Sequence, residues 1–169
     1  MFFCVIIVAF ALSGCGFHLR GSVELPPELN KLAIEDMATG SEIYPVINLQ
    51  LKRNGIAPLE NSDNAELVLV VNGEAYTNRV MTVSSVGQVQ EFELSYKIDY
   101  SIRNVKNANA SLMRQRLEIK RDLRFSVDEV LGKASEEARL KKDMILSAAE
   151  RILRRLPKAV SKKDSISSQ

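Results

Sequence analysis

Apolar and polar side chains alternate most strictly over residues 91–102. Phe92, Leu94, Tyr96, Ile98, Tyr100 and Ile102 hold every second position, with Glu91, Glu93, Ser95, Lys97, Asp99 and Ser101 between them. A period of two turns one set toward a core and the other toward a polar face, which predicts a long strand. Met113, Leu117, Ile119, Leu123 and Phe125 repeat the alternation, interrupted by Gln115 and Arg121. Arg114, Arg116, Glu118, Lys120, Asp122 and Arg124 lie on the opposite face. Asn104 to Asn109 is a turn-rich connection, so the two runs predict an antiparallel hairpin.

Upstream, Lys31 to Met37 reads as a short first strand. Pro26-Pro27 before it predicts an extended approach, because proline disfavours helix in the residue that precedes it. After the turn formers Thr39-Gly40-Ser41, a helix is expected from Pro45 to Arg53. Pro45 is expected at its first position, with Val46, Leu49 and Arg53 on one side and Ile47 and Leu51 elsewhere. Asn54-Gly55 ends it through a left-handed glycine cap. Asn61 to Asn64 is a polar turn. Ala65 to Tyr76 then contains Leu67-Val68-Leu69-Val70-Val71, a run expected to be a strand buried on both faces at its start. Asn78-Arg79 and Ser84-Ser85-Val86-Gly87 are expected to bracket a connection to the alternating strand.

Beyond Ser126 the period changes. Ala134, Ala138, Ile145, Ala148, Ile152 and Leu156 recur at helical spacing, which predicts a long amphipathic helix ended by Pro157, with Lys133 in the loop before it. The expected architecture is α+β: a two-layer sandwich with a mixed, mostly antiparallel sheet of about four strands and two helices on one face.

The beginning of the chain follows a different pattern. Phe2 to Leu12 is apolar and too short to span a bilayer, which takes roughly 20 apolar residues. It fits an export signal ending in small residues. Ser13-Gly14 directly before Cys15 is the pattern of a bacterial lipoprotein signal, in which Cys15 is acylated and becomes the mature N-terminus. Two or three acyl chains anchor stably where one does not, each buried CH₂ adding about 0.8 kcal/mol. An ordinary secretory signal followed by an unrelated cysteine, or a buried N-terminal strand, is the alternative. No Lys or Arg precedes the apolar run, so the start codon is expected to lie a few codons away. The expected division is a signal peptide over 1–14, one domain over 15–160 and a disordered polar tail over 161–169.

The formal charge of +2 is carried entirely after Cys15. Together with export, it argues against nucleic acid, which calls for a concentrated basic face. Cys4 is lost with the signal and Cys15 is used for lipid, so no disulfide is expected within a mature chain. His18, the one histidine, is poorly placed for acid–base work, and no partner exists to share a metal. No phosphate loop or nucleophile elbow occurs. Glu91, Glu93 and Asp99 share a strand face with Lys97 beside a basic strand, which reads as cross-strand charge pairing rather than a carboxylate catalytic pair. The expectation is a protein that is not an enzyme, without a cofactor apart from acyl chains on Cys15. Arg114, Arg116, Lys120 and Arg124 project from one strand face, with Lys133, Lys141 and Lys142 following. They are candidates for charge-assisted bonds to an anionic ligand, the alternative being a surface that serves only solubility.

Cys15-Gly16-Phe17-His18-Leu19-Arg20-Gly21 resembles the mature start of the LptE (RlpB) lipoproteins of lipopolysaccharide assembly. The resemblance continues through Asn54-Gly55, Gly87-Gln88 leading into Gln90-Glu91-Phe92, and Arg154-Arg155-Leu156-Pro157. It implies two helices on a four-stranded mixed sheet. It also implies an outer-membrane lipoprotein, lipid-anchored on the periplasmic side, that plugs and helps assemble the β-barrel protein LptD. In that role it assists lipopolysaccharide transport to the outer leaflet. Gly16 after Cys15, rather than aspartate, is compatible with outer-membrane sorting. The resemblance makes Lys133 the first candidate for lipopolysaccharide contact. A second basic residue that the family can carry is replaced here by Ser84-Ser85-Val86-Gly87, with Arg79 as the candidate substitute; Arg114, Arg116 and Lys120 complete the set. The other classes compatible with the sequence are a free-standing periplasmic lipoprotein that binds a small ligand or an ABC-transporter component, and a lipoprotein hydrolase with an unrecognised site.

Overall fold

Four strands in the order β1-β2-β3-β4 form one sheet in a computed structural model that describes residues 25, 27–38, 40–105, 113–124 and 130–157. The strands are β1 (Leu32–Asp36), β2 (Leu67–Val83), β3 (Val89–Asn104) and β4 (Met113–Arg124); the helices are α1 (Ile43–Arg53) and α2 (Val130–Leu153). β1 runs parallel to β2 across the α1 connection, and β2, β3 and β4 are successively antiparallel. This is the expected α+β sandwich. The signal segment with Cys15 and His18, the body of the β3–β4 connection, Phe125 and the tail lie outside the described residues.

The alternation in β3 holds throughout. Leu94, Tyr96, Ile98, Tyr100 and Ile102 are buried, and their partners Ile119 and Leu117 on β4 lie on the same face. Against them pack Ile43, Ile47 and Leu51 from α1 and Met144, Ile145, Ala148, Ala149, Ile152 and Leu153 from α2. Leu67 to Val71 is buried on both faces as expected: Leu67, Leu69 and Val71 join that core. Val68 and Val70 join a small second cluster with Ala33 and Ala65, covered by Leu59. Leu59 is held there by its N–H to Leu32 O at 2.8 Å and a bridge to Ala33.

Several expectations are corrected. β2 does not stop at Tyr76 but continues to Val83, so Asn78-Arg79 is strand and only the turn over residues 84–88 connects it to β3. A bulge between Val71 and Gly73 inserts Asn72 and shifts parity, placing Glu74, Tyr76, Asn78 and Val80 on the helix-covered face opposite Ile98, Tyr96, Leu94 and Phe92. The approach to β1 is a 3-10 helix, Pro27–Lys31, rather than extended, with Leu29 driven fully into the core. α1 begins at Ile43, so Pro45 is its third residue, still within the first turn where an N–H has no intrahelical partner. Its inward stripe is Ile43, Ile47 and Leu51, while Leu49 is exposed.

The cap of α1 is as expected. Gly55 (φ +76°) follows Asn54, with Gly55 N–H to Lys52 O and Ile56 N–H to Leu51 O, both at 3.0 Å, and Ile56 packs in the core with Leu51. α2 begins at Val130, which puts Lys133 inside the helix rather than in a loop, and ends at Leu153, ahead of Pro157. Ala134 and Ala138 are exposed, because the first turns of α2 meet the sheet through Lys133, Glu137 and Lys141 instead.

Candidate functional site

The sheet face away from the helices is a ladder of charge. Arg124 Nε donates to Glu91 Oε1 at 2.7 Å, and Thr82 Oγ1 donates to Glu91 Oε2 at 3.1 Å. Glu93 receives Arg79 at 3.0 Å and Lys120 at 3.2 Å. Glu118 accepts Ser95 Oγ at 2.8 Å and has Lys97 Nζ at 3.7 Å. Arg116 grips Asp99 with two parallel bonds of 2.7 and 2.9 Å, and Arg103 reaches Glu35 at 3.1 Å. Register explains the pairing: Glu91 stands opposite Arg124, Lys97 opposite Glu118 and Asp99 opposite Arg116. The cross-strand charge pairing read from the sequence is what forms. The hydrogen bond from Arg124, then that from Thr82, holds Glu91 below the usual carboxylate range. The Arg116 fork does the same for Asp99, and the Ser95 hydroxyl, first among several donors and charges, for Glu118.

These pairs are solvent-exposed, so each adds little stability. Their larger consequence is that the face is polar and nearly neutralised from within. Among the described outer-face cations of β2, β3 and β4, Arg114 alone has no carboxylate partner. It flanks an open notch of about 450 Å³ that is also lined by Asn72, Asp99, Tyr100, Gln115 and Arg116.

The helix side holds polar clamps that sequence reasoning missed. Glu74 Oε1 accepts the hydroxyl of buried Tyr96 at 2.7 Å, and Oε2 accepts Ser41 Oγ and Glu42 N–H at 2.9 Å at the start of α1. Burial first, then Glu74, pushes the Tyr96 hydroxyl well above its ordinary pKa. Arg155 Nη1 donates to Tyr100 Oη at 2.8 Å and to Gln115 Oε1 at 2.7 Å, and Tyr100 donates to the same Gln115 oxygen at 2.7 Å. Glu137 accepts from Tyr76 Oη at 2.9 Å and Asn78 Nδ2 at 3.0 Å, and Lys141 pairs with Glu42. The signal available in the sequence was Lys133, Glu137 and Lys141 at a spacing of four, a polar stripe that continues the apolar face of α2.

The five candidate binding residues therefore do not form one site. Arg79 and Lys120 share Glu93, and Arg114 and Arg116 line the notch, all on the outer face. Lys133 lies on the helix side, its Nζ 3.8 Å from the centroid of the Phe92 ring. Phe92 pairs across the sheet with exposed Val80, near the end of a hairpin that also exposes Met81, Val83 and Val86. Among the described residues no cluster of His, Cys, Asp and Glu is placed to hold a metal, and no helix is long and apolar enough to cross a membrane.

Comparison with known proteins agrees with this architecture. An LPS-assembly lipoprotein LptE of Photorhabdus laumondii is 26% identical over 150 residues, covering 89% of this chain and 81% of its own. The protein of the same name from Yersinia enterocolitica is 24% identical over 151 residues, covering 89% and 72%. The crystal structure of rare lipoprotein B from Shewanella oneidensis superposes with a TM-score of 0.69 at 20% identity, covering 79% of this chain and 98% of that one. The solution structure of a lipoprotein B from Nitrosomonas europaea gives 0.68 at 28% identity, covering 86% and 93%. Residues 29–156 match the sequence model of the lipopolysaccharide-assembly family LptE, and the chain belongs to that family.

Proposed function

We propose that this protein is the lipid-anchored outer-membrane subunit of a lipopolysaccharide export machine. In this reading it plugs the barrel of LptD, assists that barrel's assembly and helps pass lipopolysaccharide to the outer leaflet. The observation that carries it is the family match over residues 29–156. Two features of the surface support it. A body seated in a polar barrel lumen needs polar walls, and the ion-paired outer face of β2–β4 supplies one. An anionic glycolipid joins phosphates to acyl chains, and Lys133 above Phe92 sets a cation beside the apolar hairpin end at Val80.

The role is binding and scaffolding rather than catalysis. It calls for no cofactor beyond acyl chains on Cys15, which would hold the body on the periplasmic side of the outer membrane. The test is a mild-detergent pull-down of the acylated protein from outer membranes. A β-barrel recovered in stoichiometric amount is the expected result. Recovery of the protein alone, with other outer-membrane complexes intact, would overturn the plug in favour of a free-standing lipoprotein.

A further inference from the structure

We propose that the outer-face notch at Arg114 is a binding site for an acidic sugar, a hydroxylated ring bearing one anionic group. It deepens the lipopolysaccharide reading only as to where such a ring would come from; the notch chemistry stands without the barrel. The site is separate from Lys133. Arg114 pairs in register with Ser101, nine positions along β3 from Phe92, about 30 Å at roughly 3.4 Å per residue, and on the opposite face. No single anionic group reaches both.

The bulge at Asn72 builds the notch. It breaks the β2–β3 register between Val71 and Gly73, and Asn72 Nδ2 then bonds the buried Ser101 hydroxyl at 3.0 Å. With that nitrogen engaged, the Asn72 carbonyl oxygen is left to accept a ligand hydroxyl. Opposite it, Arg116 spends Nε and Nη2 on Asp99, which neutralises that carboxylate while leaving further guanidinium N–H groups. Arg114 supplies a whole guanidinium fork with no carboxylate among the described residues to occupy it, the geometry that grips carboxylate or phosphate. Two guanidiniums against one carboxylate leave the notch a single net positive charge. Its volume of about 450 Å³ falls within the range of small-molecule clefts, about 300–1,000 Å³. Donors for an anion and acceptors for hydroxyls in one cleft match a charged sugar better than a bare anion or a neutral one.

The experiment is an NMR titration of the full acylated chain in detergent micelles, observing the Asn72 carboxamide and the arginine Nε–H signals. The probes are glucuronate and glucose 6-phosphate, with glucose and inorganic phosphate as comparisons. Both acidic sugars should shift the Asn72 and Arg114 signals, and the stronger of the two identifies carboxylate or phosphate as the preferred group. R114Q should weaken binding at least tenfold with the rest of the spectrum unchanged, while R151Q, the same charge change at an exposed α2 position, should not. Equal weakening by both variants would overturn the proposal, as would glucose or inorganic phosphate binding as tightly as the acidic sugars, or no shift from either acidic sugar. None of these outcomes bears on recovery of the barrel, so failure here and failure of the plug are read separately.

Discussion

The hydroxyl of Tyr96, fully buried beneath the helices, donates to Glu74 at 2.7 Å, and the same carboxylate receives the backbone N–H of Glu42 at the head of α1. A strand side chain thus supplies the negative group that α1 lacks in its own first turn. Glu74→Ala should cost roughly 3 kcal/mol, because it orphans a buried hydroxyl and uncaps the helix. Tyr96→Phe should cost less, about 1–2 kcal/mol. Urea unfolding measures both, and a Glu74→Ala cost below that of Tyr96→Phe would contradict the shared clamp.

Arg155 ties the end of α2 to the sheet through Tyr100 and Gln115. Arg155→Ala and Gln115→Ala should each destabilise by about 1–2 kcal/mol. The double variant should fall short of their sum, since residues in one hydrogen-bond network couple. Strict additivity in a double-mutant cycle would show that the contact carries no energy.

Asp99, Glu91 and Glu118 are held below the ordinary carboxylate range when folded. Their contribution to stability is therefore complete above roughly pH 4, the unfolded value, and is lost as pH falls through the lowered folded values. Arg116→Gln should return the Asp99 titration toward its ordinary value while leaving Glu91 in place, as read by carboxyl-carbon NMR. An Asp99 titration unchanged by the substitution would refute the fork.

The two halves of α2 are held differently. Met144 to Leu153 is embedded in the apolar core, whereas the turns around Lys133, Glu137 and Lys141 rest on polar contacts. Amide exchange should be slower over 144–153 than over 133–141, because local opening of the first half exposes little apolar surface. Equal protection along the helix would mean that it opens as one unit.

That division also explains what the sequence concealed. β3 was legible because its alternation is unbroken and both of its neighbours in the sheet pair with it along most of its length. The second half of β2 was not, since Asn72 shifts parity and Asn78 and Arg79 look like a turn until β3 is laid beside them. Hydrophobic spacing chose Ala134 and Ala138 for the inner face of α2. The sheet beneath presents Tyr76, Asn78 and Phe92, which select Glu137 and Lys133. For the candidate site, the sequence showed which charges share a strand face, but only register showed which cancel. Arg116 and Lys120 proved to be engaged, and Arg114 was left over.

The plug itself is tested most directly by photocrosslinking in outer membranes from two opposed surfaces: Thr77 on the outer face of the sheet and Leu49, exposed on α1. A body enclosed by a barrel should give a covalent adduct with the same β-barrel protein from both positions. An adduct from one position alone, or from neither, would contradict enclosure and leave a lipoprotein that docks on one side or stands free.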